Sequence, residues 1–400
     1  MKIYYRIYQQ TYRIASYFVK WRTPEILKGE KRYDDLKEKL LDYKYILIVT
    51  DKSLVQLGLL KDLLDMLKLA NKKYFIYDKT LANPTVANVE EALEMYIKNN
   101  CQSIIAFGGG SPIDCAKIVA ARIACPKKSV KKMKGVQKIR KKLIPLFVIP
   151  TTAGTGSETT IAAVITDDNT HEKYAITDMC IIPQYAVFDP ELTCKLPPLM
   201  TAATGMDALT HAIEAFIGKS NTKKTKLDAL MSIKLIYENL YTVYLDGNNL
   251  KARKAMQYGS FYAGKAFTRA YVGNVHAIAH ALGGLYNLPH GLMNAIVLPV
   301  VLRAYGDKIY KDLAIISDYI GISEFQDTQS QKAIKLISWI EQMNNDMKIP
   351  DKIKEIRTED VPLMAQRAYR EANPFYPVPE IWSREKFKDI LIKLKGDLNV

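Results

Sequence analysis

Four hundred residues, 48% hydrophobic and 25% charged, supply chain for two or three domains with full cores, in proportions ordinary for a soluble globular protein. The five cysteines (Cys101, Cys115, Cys125, Cys180, Cys194) are scattered without a CxxC pair, which argues against a disulfide scaffold and for reduced thiols in a cytoplasm. A net charge of +15 invites nucleic-acid binding, but nine Lys and Arg crowd into residues 127–142 without interleaved aromatics or a recognisable nucleic-acid module, so a solvated basic face is expected.

Residues 1–22 place Ile3, Ile7, Ile14 and Phe18 among basic residues, the pattern of an amphipathic helix that packs on the body of the protein or on a second subunit. The segment lacks the apolar run and small-residue cleavage site of a signal peptide. No stretch of the chain approaches the ~20 apolar residues of a membrane span.

From Tyr45 strand and helix signals alternate. Ile46–Thr50 is a short apolar run, Leu54–Ala70 has helical spacing, and Tyr74–Tyr77 is the next strand. A loop with Asn83-Pro84-Thr85 leads to a helix over Val86–Asn99, followed by a strand over Ser103–Phe107 and a helix from Pro112. This alternation predicts a parallel, Rossmann-like sheet with ligands beyond the carboxyl ends of its strands.

At the third junction, Gly108-Gly109-Gly110-Ser111-Pro112-Ile113-Asp114, Ser111 suits the helix cap, Pro112 the first helical position and Asp114 a capping box. The glycines either admit a phosphate to the helix end or make a tight turn; the run is not GxGxxG. Asp51, ending the first strand, suits an adenosine ribose and disfavours a 2′-phosphate, or serves as a helix cap. Strand signals return at Leu143–Ile149, before the small and hydroxylic run Pro150-Thr151-Thr152-Ala153-Gly154-Thr155-Gly156-Ser157-Glu158, at Thr160–Ile165, and between Lys173 and Phe188.

Beyond about Pro197 helical spacing dominates, placing an N-terminal α/β domain at 1–196 and an all-α domain at 197–400. Four of the five histidines fall in two segments of the second domain; only His171 lies elsewhere. Asp207 and His211, like His276 and His280, stand one turn apart on a helix, about 5–6 Å across one face. His290 follows after Gly283-Gly284 and Pro289. One carboxylate with two or three imidazoles fits a divalent first-row metal with an open position; either pair alone could equally be a satisfied core histidine or a helix-surface pair.

Together these segments, with Asn373-Pro374-Phe375-Tyr376-Pro377-Val378-Pro379, resemble the iron-dependent (group III) alcohol dehydrogenases over roughly residues 45–380. The resemblance implies a dehydroquinate synthase-like pair of domains with the site in the cleft between them. It implies metal ligands at Asp207, His211, His276 and His290, with His280 catalytic beside nicotinamide and substrate. The implied cofactor contacts are Asp51, Asn83, Gly109, Gly110, Ser111, Thr151, Thr152 and Lys173. The expected cofactors are Fe(II), with Zn(II) a competitor, and NAD(H) ahead of NADP(H). The expected activity is alcohol oxidation or aldehyde reduction on a small primary alcohol or diol, in a cytoplasmic homo-oligomer, by default a dimer, with no nucleic-acid partner. A zinc-dependent polyol dehydrogenase of the glycerol type is the nearest alternative, and a dehydroquinate-synthase-like lyase a further one. The segment before Tyr45 has no clear role in the shared core of that family.

Overall fold

The structure is a computed structural model that describes residues 2–19, 21–170 and 172–396; His171 lies outside the described residues. The chain forms two compact units, Trp21–Lys195 and Leu196–Val400, the second joined by Met1–Lys20.

Among the described residues the first unit has nine strands: β1 (Glu25–Lys28), β2 (Tyr45–Val49), β3 (Lys73–Tyr77), β4 (Ser103–Gly108), β5 (Gly135–Val136), β6 (Leu146–Pro150), β7 (Ala162–Thr166), β8 (Lys173–Thr177) and β9 (Tyr185–Phe188). Six of them form one parallel sheet in the order β1-β9-β6-β4-β2-β3. Ile46–Val49 and Ile104–Phe107 are wholly buried, as the strands of a sheet covered on both faces must be. The chain passes outward from β2 to β3 and then returns to lay β4 on the other side of β2. This reversal opens a crevice at the carboxyl ends of β2 and β4.

Two local expectations are corrected, and one strand went unannounced. The helix expected over Leu54–Ala70 is two helices, Lys52–Gln56 and Lys61–Leu69, interrupted where Gly58 takes φ +69°. The strands expected at Thr160–Ile165 and from Lys173 do form, but in a separate three-stranded sheet, β5-β8-β7, where β7 and β8 pair antiparallel. Their buried residues alternate (Ala163, Ile165, Tyr174, Ile176), the mark of a sheet covered on one face only. Strand β1 buries Leu27 alone, too little apolar signal to announce a strand.

In the second unit the regular elements from Pro198 onward are helices among the described residues. The helix Lys2–Tyr17 belongs here and not with the α/β domain in which residues 1–20 were expected. Its Arg6 and Gln9 donate to backbone carbonyls between Pro374 and Pro379. Among the described residues no helix is long and apolar enough to cross a membrane.

Candidate metal centre and nucleotide cradle

In the helical unit, three helices deliver four donors to one point. Pro198–Ile217 carries Asp207 and His211 on its buried face, Asn274–Tyr286 carries His276, and His290 is the first residue of His290–Tyr305. The turn between the last two helices runs through Asn287 at φ +53°. A Cβ on Gly291 would sit 2.5 Å from the Ala203 carbonyl oxygen, so only glycine lets the His290 helix come against the Asp207 helix. One ligand atom from each of Asp207, His211, His276 and His290 lies within 4.8 Å of the others. Asp207 and His276 are each 2% exposed, whereas the His290 side chain is 38% exposed, so the cluster opens on one side.

Two residues without a role in the sequence reading complete this geometry. Glu214, one turn beyond His211, accepts hydrogen bonds from the N–H groups of Gly273 (2.8 Å) and Val275 (2.7 Å) and from His276 Nδ1 (2.6 Å). Burial pushes its carboxyl up to about 7, while these donors pull it back toward the carboxylate. A proton held on Nδ1 leaves the Nε2 lone pair of His276 facing the cluster. Burial first, then the neighbouring imidazoles, hold His276 well below the usual histidine range, which keeps it in the neutral, ligating form. Asn294, one turn after His290, brings its Nδ2 to within 2.7 Å of Asp207 Oδ1, 3.0 Å of His290 Nε2 and 3.2 Å of His276 Nε2. An amide with two N–H groups cannot serve three acceptors fully, and its own Oδ1 is buried without a hydrogen-bond partner. Lone pairs exceed donors here, and the donor set fits a divalent cation.

His280 lies beside this set. Its ring centroid is 4.9 Å from that of His290 and 5.9 Å from that of His276, and its side chain is 39% exposed. Its Nδ1 meets Glu371 Oε1 at 2.5 Å, and the same oxygen accepts from the Tyr376 hydroxyl at 2.6 Å.

In the α/β unit the expected cofactor residues gather at the carboxyl end of the parallel sheet. The helix after β4 begins at Gly110, capped by Gly109, two residues earlier than expected. Ser111 is therefore inside the first turn, where its hydroxyl donates to the Ala82 carbonyl at 2.6 Å, and not at the cap. Asp114 makes no capping box; it accepts from Ser157 Oγ (2.5 Å) and the Val164 N–H (2.9 Å). Side chains on Gly109 and Gly110 would press on Thr152 and Thr155, at 3.2 and 2.9 Å, so these glycines keep a cradle open at the helix N-terminus. Thr155 lies in the small, hydroxylic run read from the sequence but was not among the expected cofactor contacts. Thr151 ties the loop to the strand through N–H to the Gly108 carbonyl at 3.1 Å. Half-buried Asn83 adjoins Pro84, whose carbonyl accepts from Thr166 (2.8 Å), the partner of Lys173 in the β7–β8 register. Asp51 uses Oδ1 to cap the next helix through the Leu54 N–H at 3.1 Å.

Comparison with known proteins closes the picture. Residues 23–190 match the model of the iron-containing alcohol dehydrogenases, and residues 201–394 match the C-terminal model of the same family. Alcohol dehydrogenase 4 of Saccharomyces cerevisiae is 40% identical over 347 residues, covering 86% of this chain and 88% of the relative. The 1,3-propanediol dehydrogenase of Citrobacter freundii is 37% identical over 341 residues, 84% of this chain and 88% of its own. A crystal structure of a 1,3-propanediol oxidoreductase superposes with a TM-score of 0.90 at 34% identity, covering 94% of this chain and 99% of that one.

Proposed function

This chain belongs to the iron-containing alcohol dehydrogenase family, metal-dependent and NAD-linked oxidoreductases of alcohols and aldehydes, and from that premise we propose that it reduces small aldehydes to primary alcohols or diols with NADH, using Fe(II). The observation that carries the reading is the meeting of Asp207, His211, His276 and His290 within 4.8 Å. The activities for which its relatives are named, an alcohol dehydrogenase and a 1,3-propanediol dehydrogenase, support small hydroxylated substrates. Three imidazoles with one carboxylate suit Fe(II) and also admit Zn(II).

When bound, the metal supplies a Lewis acid for the substrate oxygen and the nicotinamide supplies the hydride. The chain's own residues do the rest. Asp207 and the three imidazoles hold the cation, Glu214 keeps His276 in the ligating tautomer, and the opening at His290 leaves one side for substrate. His280, oriented through Nδ1 by Glu371, is the imidazole that exchanges the hydroxyl proton. Gly109, Gly110, Ser111, Thr151 and Thr152 hold the pyrophosphate at the helix N-terminus, with Asn83 and Lys173 beside it. Asp51 keeps one carboxylate oxygen outside its cap for the adenosine ribose; its charge favours NAD(H) over NADP(H). None of the five cysteines is joined in a disulfide, which supports a cytoplasmic setting.

The test is NADH oxidation with a short aldehyde such as butyraldehyde, without oxygen, using metal-stripped protein reloaded with Fe(II) or Zn(II). Turnover restored by Fe(II) is expected. Silence with both metals, despite proven metal and NADH binding, would remove this substrate class.

A further inference from the structure

The helix Lys2–Tyr17 precedes the region matched by the family models, which begins at residue 23, yet it is fastened to the segment beside His280. Asn373-Pro374-Phe375-Tyr376-Pro377-Val378-Pro379 contains three prolines, which bring carbonyls but no N–H groups. Within the segment only the Val378 N–H reaches one of its own carbonyls, that of Tyr376 at 2.8 Å, among the described hydrogen bonds, so its other carbonyls take donors from elsewhere, Pro377 from the Lys219 N–H at 2.6 Å. Gln9, 3% exposed, donates through Nε2 to the Tyr376 carbonyl at 2.7 Å and the Pro374 carbonyl at 3.1 Å. The Arg6 guanidinium donates to Val378 (2.7 Å) and Pro379 (2.9 Å) and also to Gln9 Oε1 (2.9 Å), so the two side chains brace one another. The Tyr5 and Tyr369 hydroxyls meet at 3.1 Å, adding a tie to the helix Val361–Ala372 that carries Glu371.

We propose that the N-terminal helix is a positioning element for His280: Arg6 and Gln9 fix the loop, the loop fixes Tyr376, and the Tyr376 hydroxyl fixes the Glu371 carboxylate that orients the His280 ring. The proposal rests on the reading of His280 as the proton-exchanging group. Each link is a hydrogen bond of 2.5–2.9 Å: Arg6 to Val378 and Pro379, Gln9 to Tyr376, Tyr376 to Glu371, Glu371 to His280. A reacting group displaced by about 1 Å loses on the order of a hundredfold in rate, so a loop that loses its donors registers in turnover before it registers in substrate binding. The helix then acts from outside the site, through backbone carbonyls, on the orientation of one imidazole.

The experiment uses the full-length, metal-loaded protein and follows kcat and KM for the aldehyde, metal content, NADH binding by fluorescence, and Tm. His280→Ala comes first; an unchanged kcat there would remove the reading on which the inference stands. Given a loss in His280→Ala, the combined Arg6→Ala/Gln9→Ala protein is expected to lose about ten- to a hundredfold in kcat, with KM, metal content and NADH affinity unchanged. In a Glu371→Ala background the same pair of changes should add nothing, because both act through one path. Gln9→Met, which keeps the buried volume, and Tyr376→Phe, which removes only the hydroxyl, give the same kcat-selective loss if the combined variant does not fold. An unchanged kcat in Arg6→Ala/Gln9→Ala, or a loss that multiplies fully with Glu371→Ala, would overturn the inference while leaving the role of His280 intact.

Discussion

Each unit of this chain buries a cluster of charged groups, and the two are built on opposite terms. In the α/β unit the ammonium of Lys117, wholly buried, donates to Ser157 Oγ (3.2 Å), Thr160 Oγ1 (2.8 Å) and the carbonyls of Thr160 (3.1 Å) and Ala162 (2.8 Å), with Asp114 at 3.9 Å. All of these acceptors come from the same unit, so the cluster ties the helix Gly110–Ala124 to the loop after β6 and to β7. In the helical unit Asp207, His211, His276 and His290 converge with more lone pairs than donors and with His290 partly open. A cluster that closes on itself is scaffolding; one that needs a cation from outside is a binding site.

That contrast can be broken first at the open cluster. Asp207→Ala or His276→Ala is expected to lose bound metal and more than about a hundredfold in turnover, beyond what outer partners of a ligand carry, with Tm of the metal-free protein little changed. The closed cluster should behave the other way. Lys117→Met removes a buried cation from its acceptors and is expected to cost about 3–5 kcal/mol of stability, read as a lower Tm, with metal affinity of the folded protein retained. Glu214→Gln sharpens the boundary of the open cluster, weakening metal binding by about ten- to a hundredfold with the helices intact.

The smallest effect is a pH dependence at the edge of the closed cluster. Burial raises the Glu158 carboxyl from 4.5 to about 7. The folded protein then holds this proton up to about 7 while the unfolded chain releases it near 4.5, so this group's contribution to stability declines as pH rises through that window. Thermal denaturation should therefore find Glu158→Gln more stable than the parent at pH 8 and equal to it at pH 4.

The sequence showed the open cluster more readily than the closed one. Histidines are few, and the pairs Asp207/His211 and His276/His280 carry helical spacing that a reader can count. What spacing could not decide was which of the four histidines ligate: the resemblance singled out His280 as separate, and the folded chain sets it beside the donor set, against Glu371. Glu214 and Asn294 were within sight, one turn beyond His211 and His290, but their partners come from other helices. The misplaced cap at Ser111 has a local cause: Ser and Pro suit a helix start, yet two glycines allow the helix to begin earlier, against Thr152 and Thr155. That the N-terminal helix packs on the body of the protein was expected, but not where, because its contacts are to backbone carbonyls more than 360 residues away.

Where the cation goes is measured directly by titration of metal-stripped full-length protein with Co(II), followed by calorimetry and visible absorption. One equivalent should bind to the parent and to Lys117→Met with the same spectrum, and none to Asp207→Ala or His276→Ala. Undiminished binding with an unaltered spectrum in both ligand variants would place the metal elsewhere and contradict the assignment.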